Sequence, residues 1–435
     1  MLYPNTYYAS TAIANSPREA LTGDVKVDVC IIGAGIAGLS CALALIEQGK
    51  SVAILEREAV AWGASGRNGG LVMAGWAKGI AEIEKQLGLA QAQQLFSLSS
   101  RGVELIRDNI DQYSLSHCDV KGGQLQATRY PQREKLQAQQ RQMADKYQYS
   151  LDFLETEQVR EICRTKRYFE GLYSANAFHF HPLNYCLGLA KVLEKKGVLI
   201  FENSGVDKVT SDGINHRAVT THGHIDCEQI VFCGGGYTGD EAPSLKRSFL
   251  PIATYMLLTE PLGDLAQQLI TRPISIMDDR RAADYYRLVE GDRLLWGSRI
   301  TTRNQTDEQC LAAILRKDLC SVYPELASVK VDKSWSGLMA YAGHKMPIVT
   351  QTQPGQWLCS AFGGHGLNTG SVCGTLVAEA ICGINRDYLQ LAPFGCQWNG
   401  GALGPIVANL TYQYLRFRDK VQESGVKSRV IKFRF

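Results

Sequence analysis

The chain has 435 residues, 45% hydrophobic and 20% charged, with 46 basic against 43 acidic side chains and a formal net charge of +3. This is the balance of a soluble globular protein, long enough for two domains, with no overall charge to attract nucleic acid. Thirteen cysteines, an odd number without CxxC pairs or His–Cys metal spacing, argue against a disulfide scaffold or a metal site and fit reduced thiols in a cytoplasmic protein.

Residues 1–24 read as an N-terminal extension, polar with a Tyr3, Tyr7 and Tyr8 cluster. No basic stretch followed by an apolar core opens the chain, so no signal peptide is expected. The apolar run Val27-Asp28-Val29-Cys30-Ile31-Ile32 then leads to Gly33, Gly35 and Gly38, and a second run, Ser51-Val52-Ala53-Ile54-Leu55, ends at Glu56. Strand, tight turn, helix, strand and acid each have a task in holding a dinucleotide. Gly33 permits the turn, Gly35 lets the backbone approach a pyrophosphate, and Gly38 lets the helix lie close on the strand. The helix N-terminus offers free N–H groups and partial positive charge to the phosphates, and Glu56 can accept from a ribose hydroxyl. The stretch 27–46 has the length of a membrane span, but Asp28 and the three glycines favour the strand–turn–helix reading.

Residues 61–79 form a glycine-rich loop, too long and too specific in character for a simple turn. Helical spacing covers 80–110, a polar helix 132–147, and a third helix follows His181-Pro182-Leu183 and stops at Gly197. Short strands are expected at 198–201, 205–210, 218–221 and 224–227, and a buried one at 229–233 runs into Gly234-Gly235-Gly236. Alternating strands at 255–258, 284–288 and 293–297 mark a separate sheet-rich region, followed by a helix at 307–323 and a strand at 329–339. A strand at 357–361 enters the cluster Phe362-Gly363-Gly364-His365-Gly366, with a helix from about 371 to 384. From 409 to 435, seven basic residues (Arg416, Arg418, Lys420, Lys427, Arg429, Lys432 and Arg434) face only Asp419 and Glu423, giving a basic tail. It reads as a solvated terminal helix with a frayed end, or as a weak contact for an anionic membrane.

Three glycine clusters call for a ligand longer than one mononucleotide. Together, the N-terminal motif, the loop Gly63-Ala64-Ser65-Gly66-Arg67-Asn68-Gly69-Gly70, the strand end Cys233-Gly234-Gly235 and the turn Gly363-Gly364-His365-Gly366 resemble the FAD-dependent D-amino-acid oxidase (DAO) family. Within it the chain is similar to the γ-glutamylputrescine oxidase group, which shares the Tyr-Tyr-Ala start, His181-Pro182-Leu183-Asn184 and Tyr285-Tyr286-Arg287-Leu288. The resemblance implies an α/β fold, a glutathione-reductase-like FAD-binding Rossmann domain (25–80, 165–240 and 355–385) interleaved with a mixed-sheet substrate domain (81–164 and 241–354), and a C-terminal segment, 386–435. It implies that Gly33, Ala34, Gly35, Ile36, Gly38, Glu56 and Arg57 hold the ADP half, and that Val206 meets the adenine through its backbone. Ala64, Ser65, Arg67, Asn68, Gly69 and Gly70 would lie along the pyrophosphate and flavin, with Gly234 at the strand end. Gly363, Gly364, His365, Gly366 and Leu367 would cover the isoalloxazine edge, where a helix N-terminus favours the anionic reduced ring.

Departures from the family pattern bear on the substrate. Relatives that grip an α-carboxylate carry an arginine after the Trp-x-Gly-Leu strand, and sarcosine-type relatives a lysine after the Gly-His-Gly turn; this chain has Met339 and Asn368. Burying a carboxylate without a cation is costly, so the balance moves to an amine whose charges lie far from the reacting carbon. Arg287 and Lys345 remain as cations for a carboxylate, or as structural ion pairs. The histidine or cysteine that tethers FAD in covalent relatives is absent, so the FAD is expected to be non-covalent.

The expected reaction is hydride transfer from an amine carbon to flavin N5, hydrolysis of the imine to an aldehyde, and reoxidation by O2 or another acceptor. Positioning dominates such chemistry. His365 is a candidate for orienting substrate or tuning the flavin, or is fixed by backbone contacts; Tyr255, Tyr285 and Tyr286 line the pocket or pack the sheet. Two alternatives stand beside an amine oxidase: an imino-acid oxidase of the L-pipecolate or proline type, relying on Arg287, and a flavoprotein whose basic tail docks on RNA or a membrane.

Overall fold

Strand Gly23–Ile32 pairs in parallel with Val52–Leu55 on one side and Gly223–Phe232 on the other. Leu199–Phe201 continues the sheet beyond Val52–Leu55, and Gln356–Ser360 and then Ile348–Gln353 continue it beyond Gly223–Phe232. A hairpin, Val206–Ser211 and His216–Thr220, attaches to Gly223–Phe232. Both faces are covered. Val29 and Ile31 pack into the helical core, while Cys30 and Ile32 meet Leu245, Phe249 and Ala340. Burial on both sides is why this strand reads as an unbroken apolar run. The computed structural model describes residues 3–281 and 283–432, with side chains as far as Ser424.

The second sheet runs in the order Val331–Tyr341, Leu250–Thr259, Arg293–Thr301, Tyr285–Val289, Ser275–Asp278, Lys121–Ala127, Gly171–His179, Leu71–Val72. Ser275–Asp278 and Lys121–Ala127 are parallel and the other pairs antiparallel, so the sheet is mixed. The chain crosses between sheets at places that the sequence division misses. Leu71–Val72 and Gly171–His179 sit in the second sheet, and Ile348–Gln353 in the first. A short strand's partner is chosen by its neighbours across the chain, and local pattern does not encode that choice.

The expected helix over 80–110 is two, Ile80–Leu87 and Leu89–Gln112, broken at Gly88, whose φ of 85° only glycine adopts freely. The helix expected from 371 starts earlier, at Gly366. Its glycines look like loop residues but serve packing. A Cβ at Gly374 would overlap the Ala37 carbonyl of helix Ile36–Glu47, and one at Gly102 of Leu89–Gln112 would overlap the Asn368 carbonyl. Three helices are thereby drawn together with two N-termini side by side.

The N-terminal extension is anchored. Thr6 caps the turn Tyr7–Ser10, and Tyr8 is fully buried. At the other end, helix Gly404–Lys432 lies against the second sheet, where Arg416 donates to the Ile300 carbonyl (3.1 Å) and Asp419 pairs with Arg281. The side chains of Lys427, Arg429 and Lys432, and Arg434 as a whole, lie outside the described residues. All thirteen cysteines are free. Among the described residues no helix is long and apolar enough to cross a membrane.

Candidate active site

A cleft of about 480 Å³ is walled by both sheets. At one end, strand Gly23–Ile32 delivers the glycine turn. Gly33 adopts φ 105° with the Cys233 carbonyl 3.0 Å from where a Cβ would stand, and a Cβ at Gly38 would overlap the Gly33 carbonyl oxygen. The Glu56 carboxylate accepts from the Ala34 and Glu58 amides at 2.8 and 3.0 Å. Burial pushes its pKa up and these amides oppose the rise; the two hydrogen bonds hold the acid at the turn, in the cleft wall. Gly35 and Ile36 are also in the wall, and Arg57 donates to the Tyr237 carbonyl at 2.6 Å. Val206 and Gly234 line the same end. Ala34 and Gly38 do not reach the cleft surface; they shape the turn from behind.

The loop after the second strand closes over the first helix. Ser65 Oγ accepts from the Ile36 amide at 3.0 Å, and Asn68 ties the loop by donating to the Ala64 and Ser65 carbonyls and accepting from the Gly70 amide. Arg67 lies 4.0 Å above the Trp62 ring and donates to the Trp62 carbonyl, yet its buried Nη2 has no partner. Ala64, Ser65, Arg67, Asn68 and Gly69 all face the cleft. Gly70 is behind the wall, its φ of 75° and the Phe180 carbonyl leaving no room for a side chain.

At the far wall Gly363 and Gly364, with φ 59° and 91°, turn the chain into helix Gly366–Ile381. No side chain caps this helix, so its first amides are free toward the cleft, where Gly366 and Leu367 stand. His365 is in the wall, and burial pushes its pKa down to about 4, which leaves it neutral near pH 7.

The substrate-sheet side of the cleft is formed by Thr254, Met277, Tyr285, Arg299, Ile300 and Met339, with Arg281 beside them. Four residues that the sequence offers for this wall, Tyr255, Arg287, Lys345 and Tyr286, are elsewhere. Tyr255 points into the core of the second sheet, its hydroxyl donating to the Arg303 carbonyl at 2.7 Å. Successive strand residues face opposite ways, so its neighbour Thr254 takes the cleft side. Arg287 is buried behind the loop, donating to the Gly69 and Phe180 carbonyls (2.9 and 2.7 Å) and to the Tyr8 hydroxyl (3.2 Å), with His179 Nδ1 3.0 Å away. It fastens the loop to the sheet and does not face the cleft. Lys345 is exposed away from the cleft and Tyr286 stacks on Trp296 in the core; Asn368 remains in the cleft wall, its side chain donating to the Gly75 and Ser99 carbonyls.

Arg299 and Arg281 escaped the sequence reading. The register of Leu250–Thr259 against Arg293–Thr301 shifts between Thr254 and Tyr255, leaving Arg299 as the extra residue of a β-bulge at φ 69°. A bulge re-aims a side chain, and this one turns Arg299 to the cleft, paired with Asp318 at 2.5 and 2.7 Å. The positive φ has no sequence signature in a non-glycine residue, though it is the kind of strain that gathers at functional sites.

These walls fit FAD: free amides at two helix N-termini, glycines that clear the backbone, an acid at the second strand's end, and one orphaned guanidinium nitrogen on Arg67. The family model for FAD dependent oxidoreductases (DAO) matches residues 28–380. The chain is 32% identical over 426 residues to the probable oxidoreductase OrdL of Haemophilus influenzae, covering 95% of this chain and 97% of that protein. It is 30% identical over 386 residues to the gamma-glutamylputrescine oxidoreductase of Escherichia coli, covering 88% and 89%. A glycine oxidase from Geobacillus kaustophilus has the same fold, with a TM-score of 0.72 at 18% identity over 86% of this chain and 99% of that one. Glycine turn, loop, capless helix and these likenesses lead to one conclusion: the chain belongs to the DAO family of FAD-dependent oxidoreductases, enzymes that act on the CH–NH bond of amines and amino acids.

Proposed function

We propose that the protein oxidises a primary or secondary amine whose carboxylate lies far from the reacting carbon, of the γ-glutamylputrescine kind. The observation that carries this reading is the placement of cations around the cleft. Of the arginines in its wall, Arg57 and Arg67 stand on the nucleotide side, and Arg281 and Arg299 on the substrate sheet. The side chains of Arg281 and Arg299 are 29% and 26% exposed, toward solvent, while the wall beside the Gly363–His365 turn offers Met339. A carboxylate next to the reacting carbon meets no cation there, and one at the end of a long substrate meets Arg299.

Bound FAD supplies a two-electron acceptor. Neutral His365 can accept the N–H of an uncharged amine and orient it, while Tyr285 and Met339 limit the room around the carbon. The amine is oxidised to an imine, water adds, and an aldehyde and a free amine or ammonia leave; O2 or another acceptor takes up the electrons. With Arg67 where a tethering histidine would stand, FAD would be held non-covalently, its phosphates facing the backbone amides of the helix N-termini. Arg287, occupied by loop carbonyls, weighs against the imino-acid reading.

Anaerobic bleaching of the bound flavin tests this. A γ-glutamylated diamine is expected to bleach it, with Arg299→Ala raising KM about tenfold while kcat holds. Bleaching by proline or pipecolate alone, or by no amine, overturns the reading.

A further inference from the structure

We propose that helix Gly404–Lys432 is a docking surface for an anionic phospholipid bilayer. The helix has two unlike faces. Arg416, Asp419 and Glu423 turn inward, where Asp419 pairs with Arg281, Glu423 with Arg167, and Arg416 with the Ile300 carbonyl. Outward stand Val407, Leu410, Tyr414, Phe417 and Val421, with Leu403 of the preceding turn in line with them, all more than half exposed, Phe417 at 64%. They recur every three or four residues and form one continuous apolar stripe. Trp398, 76% exposed, precedes the helix and packs near Gly401. Isolated surface leucines need no explanation, but a stripe of this length on one helix does.

Charge complementarity selects the occupant. Both acids of the helix within the described residues are consumed by arginines of the body, and the exposed charges flanking the stripe are Arg418 and Lys420. Further along the sequence come Lys427, Arg429, Lys432 and Arg434 and no acid. Apolar and aromatic side chains on one face with only basic residues beside them are the composition of a helix lying in the interface of an anionic bilayer. Each such cation near the surface adds to the attraction. A second copy of this helix, the other occupant of such a stripe, would bring Arg418 and Lys420 beside their own like with no acid to answer them.

Sedimentation of the FAD-loaded protein with vesicles tests the proposal. Phosphatidylcholine vesicles containing phosphatidylglycerol are expected to carry the protein down, phosphatidylcholine alone to carry far less, and high salt to release it. Leu410→Asp with Phe417→Asp should lower the bound fraction about tenfold or more, with flavin content and thermal unfolding unchanged. A protein that stays in the supernatant with the anionic vesicles overturns the proposal, as does undiminished binding by the double variant. Light scattering that shows a dimer, made monomeric by the same variant without any vesicle binding, overturns it in favour of a second copy.

Discussion

The nucleotide end of the cleft is made of backbone, from the Gly33–Gly38 turn, the tied loop at Ser65–Gly70 and the amides of two helix N-termini, whereas the substrate end is made of side chains standing on strands. In the first, a single added carbon meets a carbonyl that cannot step aside. In the second, Thr254, Met277 and Arg299 can change while their strands stay paired. A backbone cradle would therefore hold the cofactor in one place, while a side-chain wall can change without disturbing the strands beneath it.

The largest effect expected from this contrast is at Gly38. Gly38→Val drives a branched side chain into the Gly33 carbonyl, and we expect no flavin-loaded protein, read as flavin content after purification. If Gly38→Val keeps its flavin, the cradle is softer than described and the contrast breaks. Arg287→Ala comes next. Removing it orphans the Gly69 and Phe180 carbonyls in a buried place, for a loss of about 3 kcal/mol in thermal unfolding. A variant of wild-type stability with a higher KM for carboxylated substrates would move Arg287 into the substrate wall.

The smallest effect is a pH limb at the seam between the sheets. Burial, then Arg287, pushes the pKa of His179 down to about 3 and of His181 down to about 4. Both therefore bind protons more readily in the unfolded chain, so their stability is complete above about pH 6.5 and is lost as pH falls. For His181 this amounts to about 2 kcal/mol by pH 5, and His181→Asn should flatten that part of a melting-temperature profile.

The same contrast sets what could be read from the chain. The turn glycines, Glu56 and the loop at 63–70 were legible because each does its work within a few residues of its neighbours in sequence. Gly363, Gly364 and His365 were legible with them, though the start of the following helix was hidden by Gly366 and Gly370, which resemble loop. Which of Thr254 and Tyr255 faces the cleft is not legible, because a strand's facing depends on a register set by partners elsewhere; Tyr255 takes the sheet-packing side of its two alternatives. Arg287 shares a sheet face with Tyr285, but the Gly69–Gly70 loop covers it, and only the assembled fold shows that cover. Arg299 depends on a bulge between strands some forty residues apart, and no local pattern announces it.

Helices Ile36–Glu47 and Gly366–Ile381, pressed together at Gly374, also set an order of events in biosynthesis. The phosphate turn leaves the ribosome early, but strand Gly23–Ile32 must wait for Gly223–Phe232, and the first helix for one made near the end of the chain. Such distant pairing is slow to form. A nascent chain therefore carries the recognisable motif long before the partner strand and helix that complete the FAD cradle have been made.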